Sequence, residues 1–501
     1  LTRPASTRRT VASGALGALL AGSALAVTPA GPVIQAVVSY DGTAPSVPGI
    51  QVVASLSSLR MAVVRGHADA LTRLAGAPGV RGLAPDDAVQ LSSTDTDHGT
   101  ADGVLASEAL GGRAGERDAG AGVRIALVDT GVSDTRALNR RSGHLVDAAD
   151  SSGVGFGEPV STGGTYTDGY GHGTFMAGLL AGGAVPGTHG KALGVAPGAT
   201  VLVVRVARQD GTTSLSRVLG GLDWVAAHHD QVDVLNLSLS HTRPADAYGA
   251  DPLTDAVEQV KGAGVAVVVS AGNSAGIVGD PGFDPFVLTA GAEDLTTQQV
   301  APFSGSAVVA GVRKPDVVAS GVDVLGVLPP SSVLATAKDT RRLAHGLFRG
   351  SGTSQATAIT SGLAAIFLAA NPGATPAQVK ASLRCAATDL PGETDGAGAV
   401  RTTTTECAAA DGQALDGSGD ATGESTFDAS SWAASSWAAS SWAASSWAAS
   451  SWAASSWAAS SWAASSWAAS SWAASSWAAS SWAASSWAAS SWGERQSGAD
   501  R

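Results

Sequence analysis

Three side chains in this sequence, Asp129, His172 and Ser354, are of the types that together make a serine hydroxyl attack a carbonyl carbon. Asp129 closes the hydrophobic run VRIALVDTG, His172 stands between glycines in GYGHGTFMAG, and Ser354 follows Gly352-Thr353 in GSGTSQATA. In such a set the imidazole takes the hydroxyl proton, while the carboxylate holds the imidazole's tautomer and stabilises its charged form. Each residue also has a plainer reading. Asp129 could be a strand-end aspartate entering a turn at Thr130-Gly131, and Ser354 an ordinary helix-capping serine. His172 is better marked: among nine histidines it is the one flanked by glycine on both sides. Those glycines let the backbone turn closely and leave the ring unobstructed. Ser354 precedes the apolar run 356–370, and the start of a helix favours the negative charge that develops during attack.

Residues so distant in sequence meet only if a fold carries them to one edge. Runs at 123–128, 201–206, 232–239 and 265–269 are β-branched and near-continuously apolar, the pattern of strands buried on both faces of a parallel sheet. Between them lies 214–228, where Leu215, Val218, Leu219, Leu222 and Val225 recur at helical spacing; 253–261 supplies the next helix. Strands alternating with helices predict an α/β fold with a mostly parallel central sheet and helices on both faces. Ligands in such sheets sit beyond the carboxyl ends of the strands. Asp129 lies at one such end and Asn273 close to another.

The order Asp, His, Ser, the flanking glycines and the α/β rhythm resemble the subtilisin-like serine proteases over about residues 104–390. The runs Lys314-Pro315-Asp316-Val317-Val318-Ala319 and Thr375-Pro376 match as well. The resemblance implies the subtilisin-like fold and a role for Asn273, in Val269-Ser270-Ala271-Gly272-Asn273-Ser274. The matching asparagine donates its amide to the tetrahedral oxyanion beside the nucleophile's backbone N–H. Its plainer reading is a turn asparagine in a left-handed conformation. The resemblance also implies an extended peptide bound between edge segments. Ser238-Leu239-Ser240 matches the substrate-backbone and specificity-pocket segment, Ser270-Ala271-Gly272 the opposite pocket wall, and Gly211-Thr212-Thr213 the outer edge. Two departures stand out. Gln355-Ala356-Thr357-Ala358 replaces the usual Met-Ala-x-Pro after the nucleophile. Ser240 replaces a common glycine, and its side chain would narrow the pocket. No cofactor is required for this chemistry; many relatives bind calcium, but no acidic loop here has convincing ligand spacing.

The remaining segments frame that domain. Residues 1–31 read as a signal peptide: Arg3, Arg8 and Arg9, an apolar stretch, then Ala24-Leu25-Ala26 as a cleavage pattern. Residues 32–97, with a strand at 59–64, a helix at 67–74 and a strand and connection at 80–91, resemble the family's small α+β inhibitor propeptide. The polar segment 91–103 suits a cleavage site; the alternative is an α+β appendage kept in the mature chain. The peptidase domain is placed at 98–407. Its Cys385 and Cys407 are expected to pair, which in an exported protein closes a loop worth about 3 kcal/mol. From 408 to 501 runs a linker and then an SSWAA repeat that holds all but one of the 14 tryptophans, Trp224 being the exception. A five-residue period turns each Trp roughly 140° around a helix, so no apolar stripe forms and a disordered tail is expected. The net charge of -12 argues against a nucleic-acid partner. The expectation is a secreted serine endopeptidase that cleaves polypeptides through an acyl-enzyme and matures itself. Its propeptide serves as intramolecular inhibitor, and its tail is a candidate for cell-surface or wall association. The alternative is a catalytically weak scaffold that displays the tail.

Overall fold

The computed structural model describes residues 32–91, 103–241, 251–309, 312–337, 342–392 and 394–403. The expected signal peptide, most of the cleavage segment and the repeat tail lie outside the described residues.

The chain first forms strands β1 (Val33–Tyr40), β2 (Ile50–Leu56) and β3 (Met61–His67), helix α1 (Ala68–Ala75), and strands β4 (Val80–Pro85) and β5 (Ala88–Leu91). Four of these make an antiparallel sheet in the order β2-β3-β1-β4. Alternation along its strands divides the side chains between two cores. Ala36, Val38, Ala62 and Val64 pack on Leu71 and Leu74 of α1. Val37, Met61, Val63 and Ala84 turn the other way, into the main domain. Expectation and structure agree here on the helix and on the strand near 59–64. The strands β1 and β2 were not distinguished in the sequence.

The main domain continues with β6 (Arg124–Asp129), β7 (Leu145–Asp150), α2 (His172–Ala181), β8 (Thr200–Arg205), β9 (Thr213–Ser214), α3 (Leu215–Ala227), β10 (Val234–Leu237), β11 (Leu239–Ser240), α4 (Pro252–Gly262), β12 (Ala266–Ser270) and β13 (Leu288–Asp294). It closes with β14 (Gln299–Val300), β15 (Ala307–Val309), β16 (Val312–Lys314), β17 (Val317–Ser320), β18 (Val324–Val327), α5 (Val333–Thr336), β19 (Leu347–Gly350), α6 (Thr353–Ala370) and α7 (Pro376–Cys385). The central sheet has the order β14-β13-β12-β10-β6-β8-β7, with β17 beside β13. Every pairing in it is parallel except β13 with β14.

The apolar runs are continuous because this sheet has a core on each face. Ile125 and Leu127 of β6 face the core containing α2 and α6; Ala126 and Val128 face the one containing α3 and α4. Val201 and Val203 of β8 divide from Leu202 and Val204 in the same way. α6 is long and apolar enough to cross a membrane by composition, yet 83% of it is buried in this core. Cys385, the last residue of α7, is disulfide-bonded. The one other cysteine, Cys407, lies outside the described residues.

Candidate active site

The parallel sheet delivers several chain ends to one edge. β6 ends on Asp129, and its neighbour β10 runs into Ser238; the next strand, β12, ends at Ser270, three residues before Asn273. Two buried helices, α2 and α6, pack against each other and start with His172 and Thr353.

His172 is the first residue of α2. Gly171 has φ 115, and a Cβ on Gly173 would lie 2.2 Å from the Gly131 carbonyl oxygen, so both flanking glycines are required. His172 Nδ1 lies 2.8 Å and 2.9 Å from the two Asp129 carboxylate oxygens. The Thr130 N–H donates to Asp129 Oδ1 at 2.7 Å. A carboxylate only accepts, so Nδ1 carries a proton and donates it to Asp129; in the neutral ring Nε2 is then the nitrogen with the lone pair. That Nε2 is buried with no hydrogen-bond partner among the described residues. Both side chains are 1% exposed, so the field of the Asp129 carboxylate at the imidazole is little screened.

Sequence reasoning missed Asp168, four residues before His172. Its carboxylate accepts from Thr130 Oγ1 (2.8 Å), the N–H groups of Tyr170 (3.1 Å), Gly171 (2.7 Å) and Thr174 (2.8 Å), and Thr174 Oγ1 (2.7 Å). Thr130 Oγ1 in turn accepts from the Gly173 N–H at 2.8 Å. One buried carboxylate thus ties the segment after Asp129 to the turn carrying His172. Burial pushes the Asp168 carboxyl up from its ordinary value, and these hydrogen bonds pull against that. The signal available in sequence was an aspartate upstream of GHG, whose role depends on partners no spacing reveals.

Ser354 is the second residue of α6, and Gly352 occupies the cap, so the helix-capping reading is corrected. The predicted helix at 356–370 begins three residues earlier, at Thr353. The Ser354 hydroxyl donates to the Ser238 carbonyl oxygen at 2.9 Å. Ser238 Oγ donates back to the Ser354 carbonyl at 3.2 Å. Behind them, buried Asn236 donates to Ser238 Oγ (2.9 Å) and accepts from Ser361 Oγ (2.9 Å). The structure therefore joins Asp129 to His172 directly, while the Ser354 hydroxyl rests on Ser238.

Asn273 Oδ1 accepts from both the Thr353 N–H and Thr353 Oγ1 at 2.9 Å. A backbone N–H needs an acceptor, which assigns the amide: its oxygen faces Thr353 and its NH₂ group is left for another acceptor. Asn273 is absent from the left-handed positions; Gly272, with φ 88, takes that conformation. The Ser354 N–H belongs to the first turn of α6, whose N–H groups have no intrahelical partner. The Asn273 NH₂ and the Ser354 N–H are the two donors that the family resemblance assigns to an oxyanion.

The expected peptide-binding segments enclose a strand of the chain itself. β5 pairs antiparallel with β11, Leu91 opposite Leu239 and Gln90 opposite Ser240. Its other edge pairs with β9, Val89 opposite Thr213 and Ala88 opposite Ser214. Gly211 and Thr212 form the turn before β9 and make no such pair. A Cβ on Gly211 would strike the Tyr170 ring at 2.5 Å. Ser270 Oγ donates to the Leu239 carbonyl at 3.1 Å, fastening one wall to the other. Ala271 is fully buried, and the Gly272 carbonyl accepts from the Gly305 N–H at 2.8 Å.

Polar contacts reinforce this docking. Asp86 accepts from the Ser216 N–H and Oγ, both 2.7 Å, at the first turn of α3. Asp223 of α3 accepts from the N–H groups of Ser58 (2.8 Å) and Leu59 (3.0 Å). Arg81 pairs with Asp255 of α4 at 2.9 Å. Among the described residues, no cluster of three or more His, Cys, Asp or Glu side chains could hold a metal ion.

Comparison with known proteins gives a consistent result. The serine protease AprX of Bacillus subtilis (strain 168) is 33% identical over 288 residues, covering 54% of this chain and 62% of that one. Subtilisin Savinase of Lederbergia lenta is 34% identical over 272 residues, 54% of this chain and 85% of the relative. M-protease of Shouchella clausii (strain KSM-K16) is 34% identical, with 54% and 60% covered. The match thus spans less than two thirds of AprX and of M-protease. Among solved structures, fervidolysin from Fervidobacterium pennivorans superposes with a TM-score of 0.57 over 74% of this chain and 60% of that one. At 22% identity that likeness speaks for the fold alone. A model of the subtilase family matches residues 120–402, more than half of the sequence and inclusive of Asp129, His172, Asn273 and Ser354. The chain belongs to the subtilase family.

Proposed function

We propose that this protein is a secreted serine endopeptidase that hydrolyses polypeptides through an acyl-enzyme. The observation that carries this reading is the buried Asp129–His172 pair, whose Nε2 is left without a partner beside a serine-bearing helix start. Ser354 Oγ exchanges the Ser238 carbonyl for His172 Nε2, trading one hydrogen bond for another, and attacks the peptide carbonyl as its proton passes to Nε2. The Asn273 amide and the Ser354 N–H receive the oxyanion. Collapse breaks the C–N bond, and Nε2 returns the proton to the leaving nitrogen. Water, deprotonated by Nε2, then hydrolyses the ester and restores the hydroxyl. Asp129 holds the imidazole throughout.

The unit 32–91 is proposed as an intramolecular inhibitor, because its β5 fills the position of a bound peptide between β11 and β9. An antiparallel peptide running one residue past the partner of Leu239 reaches Ser238, whose carbonyl holds the Ser354 hydroxyl. After Leu91 the next residue in sequence is Ser92, so self-cleavage is expected to leave Ser93 as the new N-terminus. Surface docking by the tail is proposed on the affinity of Trp for apolar–wet boundaries. Deleting 429–501 should release the enzyme from the cell surface, and unchanged association would reject docking.

The central test is Ser354→Ala in the full chain. It should lose reaction with a fluorophosphonate, lose peptidase activity and remain unprocessed, whereas the parent is labelled at Ser354. A parent that is folded and processed yet unlabelled would return the protein to the scaffold reading.

A further inference from the structure

The segments expected to frame a specificity pocket start beside Ser354, where Ser238 and Ser354 exchange hydrogen bonds. One wall is Ser238-Leu239-Ser240 and the second is Ser270-Ala271-Gly272; the third is the segment at Gly279-Asp280. Hydrogen bonds lock the frame. Ser270 Oγ holds the Leu239 carbonyl at 3.1 Å. The Gly279 N–H reaches the Ala271 carbonyl at 3.0 Å, and His241 and Asp280 exchange two backbone bonds of 2.8 and 2.9 Å. Walls so tied cannot spread to admit a larger guest without breaking buried hydrogen bonds.

Two of the facing residues are glycines, and the space they leave is taken by Ser240. A Cβ built on Gly279 would lie 2.8 Å from Ser240 Cβ and 3.2 Å from its Oγ. A Cβ on Gly272 would lie 3.4 Å from Ser240 Oγ. Leu239 turns its side chain into the core, and strand alternation turns Ser240 the opposite way, toward these glycines. The obstruction begins at Cβ, whose position the backbone dictates, so rotation of the hydroxyl cannot remove it.

We infer that Ser240 closes this pocket to large side chains and makes the enzyme selective for Gly, Ala or Ser on the amino side of the scissile bond. This rests on the serine-peptidase reading above and assigns it a substrate class. Pocket discrimination of one methylene is worth about 10–200-fold in kcat/KM, so a Cβ at the mouth suffices.

The test uses the full chain after self-processing, with tetrapeptide anilides that differ only in Ala or Phe before the anilide. The parent should prefer Ala. Ser240→Gly should raise the Phe-to-Ala ratio of kcat/KM by about tenfold or more. Ser240→Ala, which keeps Cβ, should stay much closer to the parent. No gain in Ser240→Gly, or the full gain already in Ser240→Ala, overturns the inference. Fluorophosphonate labelling of each variant separates the two levels. A labelled enzyme with unchanged preference refutes the role of Ser240 alone, while an unlabelled, inactive parent refutes the peptidase reading and this inference with it.

Discussion

At the scale of single residues, reactivity here is a matter of which polar atoms are already occupied. The Asn273 oxygen is spent on Thr353, which leaves its NH₂ to donate. Replacing Asn273 with Ala should therefore lower kcat rather than raise KM, by about 2.7–4 kcal/mol of barrier, a magnitude taken from a subtilisin itself. Steady-state kinetics on a peptide anilide would check this. Asp168 makes a different prediction because it touches no reacting atom. Asp168→Asn puts an NH₂ among five donors, leaving some of them unsatisfied at about 1–3 kcal/mol each. The slackened His172 turn should slow fluorophosphonate labelling and kcat, with KM changed little. A purely structural role would lower Tm alone and leave the labelling rate of the folded fraction intact. Asp129, His172 and Ser354 were legible in sequence, since glycine flanks and strand or helix ends are local features. Asp168, Thr130, Asn236 and Ser361 were not, because their partners are remote in sequence or share no recognisable spacing.

Among the elements, the parallel strands were readable as apolar runs because both faces are buried. β7 (LVDAAD) and β13 (LTAGAED) escaped notice for the opposite reason. β7 is an edge strand with an exposed Val146, and β13 alternates its core residues Leu288, Ala290 and Ala292 with Thr289, Gly291 and Glu293, so it makes no apolar run. The conspicuous run at Lys314–Asp316 proves to be architecture. Fully buried Lys314 donates to Asp316 Oδ2 at 2.8 Å, to Thr289 Oγ1 at 3.0 Å and to the Val287 carbonyl at 3.1 Å. Lys380 of α7 reaches the other Asp316 oxygen at 2.9 Å. Burial pushes the Lys314 ammonium down to about 7, against the pull of Asp316; the surrounding cations hold Asp316 well below the carboxylate range despite its own burial. Asp316→Ala would leave Lys314 and Lys380 without their shared anion. Loss of about 3–5 kcal/mol of stability is expected, read as a lowered urea midpoint.

For the molecule as a whole, the two units share one core, and β5 of the smaller lies between β11 and β9 of the larger. Asp255 of α4 lies between them, facing Arg81 and Ser39 of the small unit and Glu258 and Gln259 of its own helix. Burial raises its carboxyl to about 6, with Arg81 pulling the other way. A carboxyl raised in the docked state binds more protons there than when free. Docking is therefore favoured at low pH and weakens as pH rises from the ordinary range near 3.8 to about 6. If the proposed self-cleavage occurs, release of the smaller unit should be faster at pH 7 than at pH 4.5, and Asp255→Asn should flatten that dependence. Stopped-flow appearance of activity after self-cleavage would measure both. The amino-acid sequence alone determined the α/β rhythm, the three candidate residue types and their order, because burial on both sheet faces and tight glycine turns leave local marks. Only the tertiary structure decided that the Asn273 oxygen faces Thr353 and leaves the NH₂ to donate elsewhere, that Asp168 binds two distant segments, and that Ser240 fills the gap left by Gly272 and Gly279. Those are contacts between remote segments, and a linear pattern carries no record of which surfaces the fold will press together.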